Sequence, residues 1–410
     1  MHRFGRRQFL KLAGGLGISE VFSGCIPSDN AYYRAGRALG TAHKDRIRIM
    51  LRQFILEFPE YLGIVRDDDA DKADYMSVFF KLDEIEKRAD PNTLEVLSET
   101  ISSSETLAGI LYDQSPNNYY KLLGIADGAF GPYMRKFLFT LQCLEVTMPR
   151  LNYMNPGLCS ALLLRSSATS FGEPVLAKNF DLLNVCWYGC VTRKTRPGGK
   201  LPSLDNTLSI LPGAVSTLNP YVCITHNTLL GAFSNGRYLP GTCTEQDMAE
   251  VCRSVHETIG FLCETENGGY FLFPMADAED NIALVESTPF GKEVVVPDAD
   301  YLVVTNHSQC PHPHAPDGAV RTEIPPDTFI RHGRLTDLVR QRLARNGKFS
   351  LDDIKAVFAD HEHGGGLNSL CRHSSIAGTI STVIMLPKSG RMLVASGHPC
   401  ETPFLEYTLD

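Results

Sequence analysis

Asn155-Pro156-Gly157-Leu158-Cys159-Ser160-Ala161-Leu162-Leu163-Leu164 is the stretch where the chain changes texture. Before it, apolar residues recur mostly at helical spacing; after it, they gather in short β-rich blocks. Asn, Pro and Gly make a turn, and a thiol opens the apolar, strand-like run behind it. The next strand runs from Val175 to Asn179 and ends in Lys178-Asn179-Phe180-Asp181, with Gly172-Glu173-Pro174 turning the chain between the two. A hairpin of this kind returns Asp181 toward the start of the first strand, where Cys159 lies. A thiol at a strand end with a carboxylate and an amide nearby fits a nucleophile. The alternative is a buried structural cysteine, an inert small hydrophobe.

Upstream, Ile47, Leu51, Phe54 and Ile55 share one helical face. Asp90-Pro91 opens a second helix with Pro in its first turn, and Phe137, Leu138 and Leu141 mark a third. Downstream, Ile282 to Val285, Val294-Val295-Val296 and Val303-Val304 are β-rich. Ser381 to Leu386 and Arg391 to Ser396 flank Pro387-Lys388-Ser389-Gly390, a hairpin turn. Helices interrupt these strands. Leu335, Leu338, Val339 and Leu343 lie on one face of a helix that Asn346-Gly347 ends, and Ser350 with Asp353 caps the next. Strand groups broken by a few helices predict an α+β layered domain. There is no internal repeat.

With 410 residues, 43% of them hydrophobic, the chain can bury a substantial core. A formal net charge of −8 and the lack of a basic block argue against nucleic-acid binding. Gly5-Arg6-Arg7-Gln8-Phe9-Leu10-Lys11 fits a twin-arginine export signal, and Leu12 to Ile18 is an apolar stretch too short to span a bilayer. Phe22-Ser23-Gly24-Cys25 resembles a lipoprotein processing box. The N-terminus therefore predicts a periplasmic or cell-envelope protein carried by the twin-arginine machinery. It is then either tethered to the membrane through a lipidated Cys25 or released after cleavage. The 12 cysteines show no regular disulfide framework, as the spacings of Cys186 and Cys190 and of Cys252 and Cys263 illustrate.

Two groups of possible zinc ligands stand out: His307, Cys310, His312 and His314, and Asp360-His361-Glu362-His363. Neither has paired-cysteine spacing, nor two histidines four apart on a helix with a glutamate between. Solvated loop histidines are the expected reading, and no metal or cofactor is predicted. No Gly-x-Ser-x-Gly supports a serine esterase of the α/β-hydrolase type. Gly14-Gly15-Leu16-Gly17 belongs to the export signal rather than to a nucleotide loop.

Taken in order, several stretches resemble the N-terminal-nucleophile hydrolases of the penicillin acyl-CoA:6-aminopenicillanic acid acyltransferase group. They are the Cys159 strand, Asn179-Phe180-Asp181, Asn281-Ile282-Ala283-Leu284-Val285-Glu286, Thr305-Asn306-His307 and Ser369-Leu370-Cys371-Arg372. Tyr33-Arg34-Ala35-Gly36-Arg37-Ala38-Leu39-Gly40 is similar to the start of that family's pro-region. Bile-salt hydrolases, acid ceramidase and N-acylethanolamine amidase are more distant relatives. There are departures. The family usually carries Gly directly before the nucleophile, where this chain has Leu158, and bile-salt hydrolases carry Arg where it has Lys178.

The resemblance implies a four-layer αββα sandwich with a helical N-terminal pro-region. It divides the chain into an export signal (1–25), a mostly helical pro-region or small chain (26–158) and a catalytic domain (159–410). It also implies self-processing: the Cys159 thiol attacks the Leu158 carbonyl, and hydrolysis frees the α-amine of Cys159. An α-amine ordinarily titrates at about 7.7–8.0, so it serves as base for its own thiol. The thiolate then forms an acyl-enzyme with a linear amide, a small molecule. In this scheme Asp181 orients the amine and Asn306 donates to the oxyanion. Lys178 and Asn179 help build the substrate pocket, and Arg372 either anchors a substrate carboxylate or supports Asp181. Two rivals stay open: an inactive lipid-anchored binding protein on the same fold, and a zinc hydrolase using the His307 to His314 loop.

Overall fold

The computed structural model describes residues 29–51, 103–147, 158–196, 200–229, 238–265, 269–312, 314–315, 327–375 and 377–410. The export signal, Cys25, the Phe54–Ile55 end of the first predicted helix, the Asp90-Pro91 helix and the 155–157 turn lie outside them.

The described residues before Leu158 are helical, and those after it form sheets with helices on their outer faces. Helix α1 (Ala31–Ala42) is capped by the Asn30 side chain, which accepts from the Tyr33 amide. Helices α2 (Ser104–Gln114), α3 (Pro116–Ala129, with Pro in its first turn) and α4 (Arg135–Thr147) follow. Ile47, Leu51, Leu107, Leu122 and Phe139 share one buried cluster with Leu239 and Cys243 of the downstream chain. Helices α1 and α3 touch backbone to backbone. A Cβ on Gly36 would lie 2.1 Å from the Lys121 carbonyl oxygen, and one on Gly124 2.2 Å from that of Tyr33. The two Gly-x-x-x-Gly pairs, Gly36/Gly40 and Gly124/Gly128, are what allow this approach.

Strands β1 (Leu158–Leu164), β2 (Val175–Leu183), β3 (Cys190–Thr195), β4 (Ser203–Leu208), β5 (Ser216–Leu218), β6 (Val222–Thr225) and β7 (Asn227–Thr228) come next. Helices α5 (Gly241–Val251) and α6 (Val255–Glu264) lead to β8 (Phe271–Asp277), β9 (Ile282–Thr288), β10 (Gly291–Val295) and β11 (Tyr301–Val304). Helices α7 (Asp327–Asn346) and α8 (Leu351–Phe358) precede β12 (Ala377–Leu386), β13 (Arg391–Ala395) and β14 (Leu405–Thr408). One sheet has the order β11-β1-β2-β12-β13-β14; the other runs β10-β9-β8-β6-β5-β4-β3, with β7 paired to β8.

Strand alternation builds the layers. Ala161, Leu163, Leu176, Val383 and Met385 of the first sheet face Leu218, Leu272 and Leu284 of the second. Leu162, Leu164, Ala177 and Ile384 point the other way, onto Leu335 and Val339 of α7 and Ile354 and Phe358 of α8. Ile224, Phe273 and Val285 carry Met248 of α5 and Leu262 of α6. The result is the expected α+β, four-layer αββα order. Each fully buried Leu or Phe in these layers contributes about 1.5–3 kcal/mol. The caps also agree with the sequence. Gly347 ends α7 at φ +69°, and Ser350 and Asp353 form a reciprocal capping box on α8.

One expectation needs correcting. The strand expected to run from Val175 to Asn179 continues to Leu183, because β12 pairs along its second edge that far. A shift in the β12 register between Thr379 and Ser381 bends the sheet beside Asp181.

Candidate active site

The β1–β2 ladder sets Leu158 opposite Asp181, Cys159 opposite Phe180, Ser160 opposite Asn179 and Ala161 opposite Lys178. Side chains directly opposite one another share a face. Cys159, Phe180 and Lys178 therefore face the space between the sheets, and Ser160, Asn179 and Asp181 face α7 and α8. Thiol and carboxylate lie on opposite faces, with the backbone nitrogen of Cys159 in the plane between them.

Cys159 is buried, and burial pushes its thiol pKa up, against the opposing pull of the Lys178 ammonium. Lys178 is fully buried and donates to the carbonyls of Val215 (3.2 Å) and His226. Beyond it, His226 pairs with Glu245 at 2.8 Å. Burial drives that imidazole well below its ordinary pKa and that carboxyl well above, so the pair favours its neutral forms. The Cys159 amide donates to Asn306 Oδ1 at 2.9 Å, while Asn306 Nδ2 donates to the Thr228 carbonyl at 2.8 Å.

On the helix side, Asp181, Asp327, Arg331 and Arg372 form a buried, charge-balanced quartet. Arg331 Nη1 donates to the Cys159 carbonyl (2.7 Å) and to Ser160 Oγ (2.8 Å). Its Nη2 donates to Asn306 Oδ1 (2.9 Å) and Asp327 Oδ2 (3.3 Å). Arg372 Nη2 donates to Asp327 at 2.9 Å, and its Nε lies 3.6 Å from Asp181 Oδ2. Asp181 Oδ1 accepts from Thr379 Oγ1 at 2.7 Å. Its Oδ2 is buried without a hydrogen-bond donor. Burial raises the Asp181 pKa against the pull of both guanidiniums, and burial lowers that of Arg372 to about 10. That oxygen keeps only the 3.6 Å ion pair with Arg372 Nε, which leaves it able to accept a further hydrogen bond.

The structure thus brings Cys159, Asp181, Asn306, Arg372 and Lys178 together around one backbone nitrogen. Asn179 does not fit its expected place in a substrate pocket. It faces the helices, donates to the carbonyls of Phe358 (3.0 Å) and Leu370 (2.8 Å), and accepts from Thr382 (2.6 Å). It clamps the segment carrying Arg372. Arg372 is fully buried within the quartet, which fits support of Asp181 and not a substrate anchor. Asn306 serves the Cys159 amide in this uncut chain, so an oxyanion role requires its Nδ2 to leave the Thr228 carbonyl.

Sequence reasoning missed Arg331 and Asp327. A signal existed: Arg331 sits one turn before Leu335 on the apolar face of α7, a charge where the stripe calls for a hydrophobe. In the His307 to His314 loop, Cys310 and His312 hold their ligand atoms within 4.8 Å of each other and of a Glu286 carboxylate oxygen, three possible metal ligands, and His307 is not among them. His307 contacts Thr305 (3.1 Å) and Thr328 (3.0 Å) and stacks on Phe329, whereas His312 bonds Glu286 at 2.8 Å. Glu286 also accepts from Ser308 and from the Gln309 amide, so it organises the loop.

Comparison with known proteins bears on this arrangement. The model of the acyl-coenzyme A:6-aminopenicillanic acid acyl-transferase family matches residues 171–401, more than half of the chain and a stretch that begins after Cys159. No curated protein matches. Among solved structures, the chain is similar to a Caenorhabditis elegans N-acylethanolamine-hydrolyzing acid amidase ortholog, with 14% identity, a TM-score of 0.41, and coverage of 56% of this chain and 93% of that one. It is also similar to a mutant conjugated bile acid hydrolase from Clostridium perfringens (14%, 0.40, 62% and 97%). A third is penicillin V acylase from Agrobacterium tumefaciens (11%, 0.37, 58% and 82%). On the family match, the chain belongs to the acyl-coenzyme A:6-aminopenicillanic acid acyl-transferase family, a family of enzymes.

Proposed function

We propose that the chain cuts itself between Leu158 and Cys159 and then uses Cys159 as the nucleophile of a linear-amide hydrolase. The buried Asp181 Oδ2, which accepts no hydrogen bond and has only the Arg372 ion pair at 3.6 Å, carries this reading. It lies across the ladder from the Leu158–Cys159 peptide, where a new α-ammonium would find its partner. In the cut, Cys159 Sγ bonds to the Leu158 carbonyl carbon, the C–N bond breaks, and the nitrogen takes the thiol proton. Water then hydrolyses the thioester, leaving a Leu158 carboxylate and a free amine. In turnover that amine accepts the thiol proton and the thiolate attacks the substrate carbonyl. As the intermediate collapses, the α-ammonium returns that proton to the leaving nitrogen, which departs as a neutral amine, and water then hydrolyses the acyl thioester to the acid and restores the thiol. The Lys178 ammonium, facing the thiol across one strand position, favours the thiolate. Asn306, once released from the Thr228 carbonyl, is the oxyanion donor of the scheme.

The same acyl-enzyme can pass to an amine acceptor, which would make the protein an acyltransferase. The twin-arginine pattern at Arg6-Arg7 and the Phe22-Ser23-Gly24-Cys25 box support action in the cell envelope. Acyl-CoA is absent there, so hydrolysis is favoured. The test is a panel of chromogenic N-acyl amides assayed with stoichiometric mass readout. Wild type forms a covalent acyl adduct on the peptide beginning at Cys159 and releases amine; Cys159→Ala does neither. Amine release by the alanine variant would overturn the reading.

A further inference from the structure

Far along the sequence from Cys159, the fold gathers four metal-ligating side chains that the chemistry above does not use. His361 follows α8, Cys371 and His373 flank Arg372 ahead of β12, and Cys400 follows β13. Their ligand atoms all lie within 4.8 Å of one another. His361 Nε2 and His373 Nε2 are 3.0 Å apart, Cys371 Sγ and Cys400 Sγ 3.7 Å, and His373 Nε2 is 3.4 Å from Cys371 Sγ and 3.2 Å from Cys400 Sγ.

A tetrahedral Zn²⁺ with Zn–S of about 2.3 Å and Zn–N of about 2.0–2.1 Å sets its ligands about 3.8 Å (S–S), 3.6 Å (S–N) and 3.3 Å (N–N) apart. These four separations fall within about 0.4 Å of those values, and the two remaining pairs, His361 with each thiol, lie within 4.8 Å. A disulfide, by contrast, needs its sulfurs at about 2.05 Å. The surroundings also suit an ion. His373 Nδ1 lies 4.0 Å from the Glu401 carboxylate, the kind of group that serves as outer partner to a ligating imidazole, and its ring packs at a tilt against His398 at 3.8 Å between centroids. Backbone strain concentrates in the same place. His363, Gly364 and Gly365 are three successive left-handed residues that fold His361 back toward His373, and His363 has no glycine freedom to ease its φ of 70°.

We propose that His361, Cys371, His373 and Cys400 form a structural Cys₂His₂ site for a divalent transition metal, zinc by ligand chemistry. Both thiols would bind as thiolates, releasing two protons on metal entry. The ion ties the ends of β12 and β13 to the loop after α8. Because two of its ligands are the neighbours of Arg372, it fixes that guanidinium from both sides. The assignment of the site does not depend on the reading of Cys159.

The test is metal analysis of the full-length protein, purified under reducing conditions and passed over a weak chelating resin. We expect about one zinc per chain, and a Co²⁺-exchanged sample with the intense d–d and thiolate charge-transfer bands of a tetrahedral sulfur site. Cys400→Ser and His361→Ala, both at exposed positions, should each lower the metal content about tenfold, while Cys263→Ser, an exposed cysteine outside the cluster, should keep it. Should a variant fail to fold, Co²⁺ titration of the wild type gives the same answer. Wild type with no metal and no cobalt spectrum overturns the proposal. So does a Cys371–Cys400 disulfide in the unreduced peptide map, or zinc retained in both ligand variants.

Discussion

Replacing Arg331 by methionine removes the cation that joins the two faces of the proposed site while nearly preserving side-chain volume. Arg331 is fully buried and makes four hydrogen bonds, to the Cys159 carbonyl, Ser160, Asn306 and Asp327. Its loss leaves one guanidinium, Arg372, for the two buried carboxylates Asp181 and Asp327. Breaking a buried charge pair by removing one partner costs about 3–5 kcal/mol, a large share of a stability of about 5–15 kcal/mol. A chain of this size need not unfold in one step, so the appropriate assay is local hydrogen exchange of the peptides covering β1 and the first turns of α7. At about 1.4 kcal/mol per decade, exchange through local opening should quicken about 10²- to 10³-fold. Self-cleavage should slow on the order of 10²-fold, because the Cys159 carbonyl loses the donor that orients it. Arg331→Lys should fall between the two, since one ammonium cannot serve both branches of the fork. Exchange and cleavage within about threefold of wild type for Arg331→Met would refute the buried quartet.

Further outcomes follow from the same contacts. Asp181→Asn should lower amide turnover about 10²–10⁴-fold, and shift the pH–rate profile, because the α-amine loses its carboxylate; an unshifted profile would count against that pairing. Gly124→Ala drives a Cβ into the Tyr33 carbonyl at 2.2 Å and should destabilise the α1–α3 contact by about 1–3 kcal/mol, read as a lower thermal midpoint or as loss of the N-terminal helices after cleavage. Burial, with His332 and Arg331 nearby, lowers the His307 pKa to about 4 from its ordinary 6.5. The native state therefore favours the neutral ring. The associated stability is complete above pH 6.5 and falls as pH drops toward 4, by up to about 3 kcal/mol. His307→Gln should flatten that acid slope in equilibrium unfolding between pH 6.5 and 4.

Much of the frame was legible in the residues. The apolar run after Cys159, the β-rich blocks at Ile282 and Val303, the Pro387 to Gly390 hairpin and the Ser350–Asp353 cap all follow local chemistry. The extent of β2 was not, because Leu182 and Leu183 are strand only through their pairing with Gly378 and Ala377, nearly two hundred residues on. Asn179 looked like a pocket residue beside Asp181, yet alternation turns its side chain toward the helices. Arg331 was hidden in an apolar stripe whose charged member has meaning only against Asp327 and the Cys159 carbonyl. Of the Cys₂His₂ cluster only His361 stood in a group flagged from sequence, for a related reason: strands β12 and β13 separate Cys371 and His373 from Cys400, so no short spacing joins the four. The export signal and the Cys25 box lie outside the described residues and rest on their sequence patterns alone.

The central claim, a self-made N-terminal Cys159, is tested most directly by intact mass and N-terminal sequencing of purified wild type and Cys159→Ala. The account predicts a wild-type chain beginning Cys159-Ser160-Ala161 and an uncut variant. Two uncut, folded proteins would contradict it, as would a variant cleaved at the same bond.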